Sequence, residues 1–373
     1  MPGYKVSSCS AEHSDELEPE WRELQCRSDC SFFQSWGWIG VWLKQIAAGL
    51  QPMLVRVRHE DTLVGMGIFV RRDIRRRHLF RSNALFLHEY PFDGRNMVIE
   101  YNGLLAARDH EQAVYAGVIS HLFQADARLD ELFFGAIDER VDLTGALRQA
   151  GDSCDGISPR LLDESLAWSV DLGKFGEGID AYLATLSKNR RAQIRRSLRD
   201  YEASGRLQLE EARDCDEALD YLAGLKQLHT RRWREKGIAG VFANPLWEEF
   251  HRAVIQQGYP EGTIQLLKVS NDSRVAGYLY NLVWRNHVYV VQTGFEAVTD
   301  KRLMPGYVVH ALAVAHNRAR GMAVYDLMHG DSLYKRILCN QSRTLRWVVL
   351  QRRRVKFGAE NLAVATVRRC RSL

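Results

Sequence analysis

Reactive side chains crowd one stretch of this sequence: Asp326, His329, Asp331, Ser332 and Tyr334 fall within nine residues. The stretch contains Gly330-Asp331-Ser332-Leu333, a block that carries the nucleophile in some serine esterases. Those enzymes keep a catalytic Asp-x-x-His pair near the chain end. Here Asp326-x-x-His329 precedes the serine, and neither Asp nor His follows it. A serine hydroxyl without an imidazole base has no activator, so ester hydrolysis through Ser332 is not expected. Asp326, His329 and Asp331 remain as groups able to take a proton from an attacking amine or hydroxyl. No P-loop, HExxH or GxGxxG is present. Cys26 and Cys30 lie four apart with His13 nearby, but no second Cys/His pair follows at zinc-site spacing, so no metal is expected.

A second candidate is a stretch of strong charge. Lys188, Arg190, Arg191, Arg195, Arg196 and Arg199 precede the first acid, Asp200. On a helix, positions 188, 191, 195 and 199 share a face, which makes a broad basic surface. A solvated helix normally mixes signs to limit repulsion, so this one is expected to bind an anion, with Lys188, Arg191 and Arg195 as contacts. From Lys335 to the end, eleven Lys/Arg residues face one acid, Glu360, so the remainder must be net acidic for a total of +5. That polarity points to a phosphorylated cofactor, an RNA or an anionic lipid, including peripheral membrane contact through the basic tail. An anionic small molecule is the substrate class this polarity fits.

The elements that must position these groups follow from length and periodicity. A chain of 373 residues, 46% apolar and 26% charged, is expected to form two globular domains. No apolar run approaches the roughly 20 residues that span a bilayer, and the first ten residues lack a signal-type apolar core. Seven scattered cysteines argue against a disulfide framework, and a cytoplasmic location is expected. Trp36, Ile39, Leu43 and Ala47 share a helix face, and a hairpin follows over Met53–Val57 and Leu63–Val70. The pattern recurs 212 residues later, where Leu266-Leu267-Lys268-Val269, a polar turn and Val275-Ala276-Gly277 match Leu54-Val55-Arg56-Val57, its turn and Leu63-Val64-Gly65. An aromatic helix precedes each copy, so duplication of a domain is the reading, with a junction at Ile157-Ser158-Pro159-Arg160. The second half is expected to hold strands at Ala167–Leu172, Leu207–Glu210, His287–Thr293, Ala323–Met328, Leu345–Leu350 and Leu362–Val367. Helices are expected from Ile179 to Leu186, Ser187 to Glu202, Asp216 to Arg234 and Pro305 to Gly321, the last with Pro at its start and Gly past its end.

Short marks spread over the chain carry a family resemblance. They are Phe33-Gln34-Ser35 with Trp38, Leu186 to Arg191, Leu228-His229 with Arg232-Trp233, Val275-Ala276-Gly277, Pro305-Gly306, Gly321, Tyr325-Asp326-Leu327 with Gly330, and Tyr334-Lys335. In this order they resemble the CelD/BcsL family of GNAT-type acetyltransferases, related to the BioF2-like and Fem-type peptidyltransferases. The resemblance implies an α/β (α+β) fold of two tandem GNAT-like domains, each a mixed, mainly antiparallel sheet flanked by helices. Residues 1–160 would form an acceptor-side domain without a donor site, and 161–373 the acetyltransferase domain. It implies transfer of an acyl group from acetyl-CoA or another acyl-CoA, without a metal, to an amine or hydroxyl of an anionic small-molecule or lipid-linked glycan substrate in envelope or exopolysaccharide (cellulose-type) synthesis, with tRNA the nucleic acid only under the first alternative below. The alternatives are a Fem-like transferase using aminoacyl-tRNA and a non-catalytic pair serving a polysaccharide machine. The donor pyrophosphate would sit at the helix opening at Pro305, Gly306 and Tyr307, with Lys301 and Arg302 beside it. Pro305 and Tyr307 stand where that family's phosphate loop has glycines, and Pro305 removes one amide donor. Tyr334 would protonate the departing thiolate, with Lys335 contacting substrate.

Overall fold

The computed structural model describes residues 3–11, 16–45, 50–76, 80–89, 91–92, 95–96, 99–300, 302–358 and 360. Its principal elements begin with β1 (Tyr4–Ser10), α1 (Leu17–Cys26), α2 (Trp36–Lys44), β2 (Met53–His59), β3 (Thr62–Arg76), β4 (Phe80–Leu87), α3 (Glu111–Ala125), β5 (Glu131–Asp138), α4 (Leu143–Ala150) and β6 (Ile157–Asp171). The second series is α5 (Ile179–Thr185), α6 (Lys188–Glu202), β7 (Gln208–Glu211), α7 (Cys215–Glu235), α8 (Pro245–Gly258), β8 (Ile264–Ser270), β9 (Val275–Trp284) and β10 (His287–Phe295). It closes with α9 (Pro305–Ala319), β11 (Val324–His329), α10 (Leu333–Leu338) and β12 (Gln341–Arg352).

The elements fall into two compact units, Met1–Glu164 with Thr344–Leu373, and Ser165–Arg343. In the first, β1, β2, β3 and β4 pair antiparallel, β5 joins β4 in parallel, and β12 pairs antiparallel with β5. In the second, β7, β8, β9 and β10 pair antiparallel, β11 joins β10 in parallel, and residues 165–171 of β6 pair antiparallel with β11. The same strand, two helices, three strands, helix, strand order thus occurs twice, and the expected fold class of tandem GNAT-like α/β units holds.

Two expectations about the chain path change. Residues 157–160, read as the junction, lie within the long strand β6, and the division between the units falls between Glu164 and Ser165. The second unit ends at Arg343, because Leu345 to Gln351 hydrogen-bond along β5, from Leu345 opposite Asp138 to Gln351 opposite Glu131. Basic residues of the tail are tied down there: Arg352 donates to the carbonyl of Leu129, and Lys356 pairs with Asp130 at 2.5 Å. The strand expected at Leu362–Val367 lies outside the described residues.

In the second unit helices cover both faces of the sheet. On one face Leu279, Val288, Val290, Tyr325 and Leu327 pack with Val308, Val309 and Ala311 of α9. On the other, Tyr278 meets Tyr221 of α7 with ring centroids 5.6 Å apart, and the Tyr280 hydroxyl lies 3.2 Å from His251 of α8. Strands covered on both faces must be apolar almost throughout, as the Val275–Trp284 run is. The helix starts follow local chemistry. Asp214 caps α7 by accepting from the Glu217 amide at 2.8 Å, and Pro305 occupies the first turn of α9.

Candidate active site

The site builds outward from the ends of β10 and β11. These parallel strands are in register only from His287–Val324 to Tyr289–Asp326, and β10 then continues to Phe295 paired with β9 but not with β11. A bulge contributes to the departure: Tyr280 faces Gln292 while Asn281 faces Val290, so Val291 has no partner across β9. An extra residue of this kind leaves backbone groups outside the ladder and bends the strand. It also places Val290 and Thr293 on one face, although they are three apart, since Asn281 and Leu279 opposite them are two apart.

Gly294 makes the next contact possible. A Cβ there would lie 2.5 Å from the Leu225 carbonyl oxygen, so only glycine lets α7 lie this close to β10. Arg232 is seven residues beyond Leu225, on the same helix face. Its guanidinium consequently comes to 5.9 Å from the ring of Phe295, the residue after that glycine. The same ring lies 3.3 Å from the position a Gly306 Cβ would take, and 5.5 Å from the His310 ring. Phe295 therefore joins the end of α7 to the opening of α9.

At that opening Pro305 has no amide hydrogen, and the Met304 amide donates to Ser197 Oγ of α6 at 3.0 Å. The Tyr307 and Val308 amides both donate to the Met304 carbonyl. Among the described residues the Gly306 amide is the one left without a partner, a narrower anion cradle than a glycine-rich loop provides. Arg302 is engaged by Asp300 at 2.7 Å, and that contact holds the Asp300 carboxyl down at about 2. Lys301 lies outside the described residues. The cation brought to the helix opening is Arg190 of the basic helix, 4.5 Å over the Tyr307 ring. Elsewhere on α6, Arg195 pairs with Asp180 at 2.7 Å, Arg191 donates to the Ala184 carbonyl, and Lys188 is exposed. Neither Arg190 nor Arg232 has a carboxylate partner among the described residues.

On the α9 face, Tyr334 of α10 stacks against His310, with ring centroids 6.0 Å apart and planes 19° apart. Burial pushes the phenol up to about 12, so it stays protonated through the neutral range. Burial, with repulsion from Lys335, moves His310 down to about 3, and its ring nitrogen is 3.0 Å from the Tyr325 hydroxyl. The short helix carrying Tyr334 is pinned at both ends. Lys335 donates to the carbonyls of Met328 and His329 at 3.2 and 2.5 Å, and Tyr182 donates to that of Leu338 at 2.8 Å. Lys335 is buried and anchors α10 to β11, so it does not present its charge to a substrate as expected.

The expected proton acceptors are dispersed. Asp326 faces away from Tyr325, because neighbouring strand residues alternate. Its carboxylate accepts from the Met328 amide at 2.6 Å and lies 3.0 Å from His287. The first contact is an Asx-type turn, and it explains how Met328 adopts φ +64° where β11 ends. Asp331 is bonded by Arg336 at 2.5 Å, which holds its carboxyl below the usual range and makes it a weaker base. His329 is half-buried at the strand end opposite Ala167. The geometry thus brings together Tyr334, Gly306 and Tyr307, and adds Arg232, Arg190, Phe295 and His310. Among these, Arg232 already stood out in sequence beside Trp233; Phe295 and His310 had no mark except a lone polar residue in the apolar run Val308 to Leu312.

Among the described residues, no group of three His, Cys, Asp or Glu side chains is placed to hold a metal ion, and no helix is long and apolar enough to cross a membrane. Cys26 is exposed and Cys30 buried, while His13 lies outside the described residues. No curated protein matches the chain by sequence. Among solved structures the fold resembles that of FemX, with 10% identity and a TM-score of 0.60 over 91% of this chain and 96% of that one. It is also similar to L-PGS from Bacillus licheniformis, with 10% identity and a TM-score of 0.53 over 96% and 98%. A Bacteroides thetaiotaomicron protein of unknown function gives 7% identity and a TM-score of 0.54 over 91% and 98%. Residues 188–336 match the model of the acetyltransferase (GNAT) domain, and the diverging strands, the α9 opening and Tyr334 all lie within that matched segment.

Proposed function

We propose that this chain transfers an acyl group from an acyl-coenzyme A thioester to an amine or hydroxyl acceptor, with the donor held in the second unit. The observation that carries the reading is Tyr334, a neutral phenol packed at the end of the diverging strands beside the opening of α9. The donor's phosphates would meet the Gly306 amide and Arg190. Backbone amides around the Val291 bulge would polarise the thioester carbonyl. The acceptor's lone pair forms the new bond to the carbonyl carbon, the carbon–sulfur bond breaks, and Tyr334 protonates the leaving thiolate. The acceptor's own proton must then restore the phenol. His310, neutral and stacked on the ring, positions Tyr334 and does not supply a proton.

Among the described residues the first unit has no counterpart of Gly306 with Tyr334, so it is assigned no donor site. The family likeness favours an envelope or exopolysaccharide precursor as acceptor. Fold likeness to FemX, together with the α6 arginines, favours a second reading, in which aminoacyl-tRNA is the donor and α6 meets the RNA backbone. Thiol release from acetyl-CoA, with amino sugars and amino acids as trial acceptors, separates the two. Acceptor-dependent release should fall by about 10²- to 10⁴-fold in Tyr334→Phe with donor affinity little changed. Full activity of that variant would remove the assigned acid. A salt-sensitive tRNA gel shift without acetyl-CoA binding would replace the reading by the second one.

A further inference from the structure

The turn between α7 and α8 presents apolar side chains to solvent beside the basic end of α7. Ile238 is 56% exposed, Val241 37% and Leu246 40%, within nine residues of one another. Apolar side chains scattered singly over a surface call for no explanation, but three on one braced turn do. The helix end is fixed by a Schellman motif: the Ile238 amide donates to the Trp233 carbonyl and the Gly237 amide to that of Arg234, with Gly237 at φ +70°. In that motif the residue in the place of Ile238 usually folds back on the helix. Here it points outward.

The turn is held from behind. His229 and Phe242 rings are 5.2 Å apart, Phe242 and Trp247 4.8 Å, and Trp247 and His251 4.0 Å. A cavity of about 320 Å³ opens beside this aromatic row, lined by Thr230, Arg234, Ile238, Gly240, Phe242 and Ala243 among others. Charge on the same helix end is one-sided. Arg231, Arg232, Arg234 and Lys236 face only Glu235, and neither Arg231 nor Arg234 has a carboxylate partner among the described residues. Lys236 lies 5.0 Å over the half-buried Trp233 ring.

We infer that the α7–α8 turn is a docking surface for an anionic lipid bilayer. Ile238, Val241 and Leu246 would enter the boundary between headgroups and acyl chains, while Arg231, Arg234 and Lys236 meet the phosphates above it. Exposed aliphatic tips beside a cationic helix end that carries a tryptophan are what such an interface selects. A protein partner of ordinary interface composition would be expected to supply carboxylates for these cations and a flat area larger than one turn. The surface adjoins Arg232, the α7 residue that reaches the Phe295 ring. The inference does not depend on the chemistry proposed above.

The test is sedimentation of the full chain with vesicles of equal parts phosphatidylglycerol and phosphatidylcholine, compared with pure phosphatidylcholine, without donor or acceptor. Binding is expected only to the anionic vesicles and should weaken with salt. Ile238→Ser with Val241→Ser should reduce it by roughly ten-fold or more, and Arg231→Gln with Arg234→Gln by about five-fold per charge. Melting temperatures should stay near that of the parent, since all four side chains are exposed. Anionic-vesicle binding unchanged in the serine pair would assign it to another basic surface and overturn the inference. So would no binding to either vesicle, or self-association that the serine pair abolishes, which would make the turn a contact between copies.

Discussion

Tyr334 and His310 lie ring against ring, and burial moves them in opposite directions, to about 12 and about 3. Both shifts leave the groups uncharged, which is the state a desolvated pair adopts when no counter-ion is at hand. A neutral phenol can give a proton to a thiolate; a neutral imidazole held that low cannot. Arg232 adds a cation at the same place without a carboxylate to neutralise it, so an anionic acceptor would find it unengaged. Arg232→Gln should raise the KM of whichever trial acceptor supports turnover by about ten-fold, the worth of one charge-assisted hydrogen bond. Donor affinity and melting temperature should not move. A fall in kcat with acceptor KM unchanged would contradict this role. At this scale the sequence was partly legible. Tyr334 and Gly306 stood out because a motif order places them, whereas Asp326, Asp331 and Lys335 looked equally reactive on paper. Their neighbours decided otherwise: an Asx turn takes Asp326, Arg336 takes Asp331, and two backbone carbonyls take Lys335.

The elements themselves were easier to read than their ends. Pro305 and the glycine at 321 bracket α9, and the observed helix covers Pro305–Ala319. The basic run from Lys188 to Arg199 lies on one helix, capped by Ser187. The doubled hairpin seen 212 residues apart marks two equivalent units, in which β2–β3 and β8–β9 hold the same antiparallel pairing. Tertiary pairing was not legible. That residues 344–352 complete the first sheet depends on register with β5, to which local propensity gives no access. The Val291 bulge escaped notice for the same reason, since an inserted residue shows only against a partner strand. The basic helix also acquired a different meaning. Its role at the α9 opening falls to Arg190 and Ser197, through Tyr307 and Met304, while Arg195 pairs locally with Asp180.

Across the whole molecule, three fully buried histidines link stability to pH. Burial holds His88 at about 4, His251 at about 3 and His310 at about 3. In the unfolded chain each takes up a proton near pH 6.5. Stability present above that value is therefore lost as pH falls towards the folded values, by about 1.4 kcal/mol per pH unit for each group. The three sum to about 4 kcal/mol per unit, a large part of a typical total of about 5–15 kcal/mol. The melting temperature should fall steeply between about pH 6.5 and about pH 5, and a flat profile over that window would show that these imidazoles are not held neutral. The central claim, a single acyl-donor site in the second unit, is tested most directly by amide hydrogen exchange of the full chain with and without acetyl-CoA. Slower exchange is expected in 290–294 at the bulge and in 304–309 at the α9 opening, with residues 53–76 and 131–138 of the first unit unchanged. Protection confined to the first unit, or none anywhere at saturating acetyl-CoA, would contradict it.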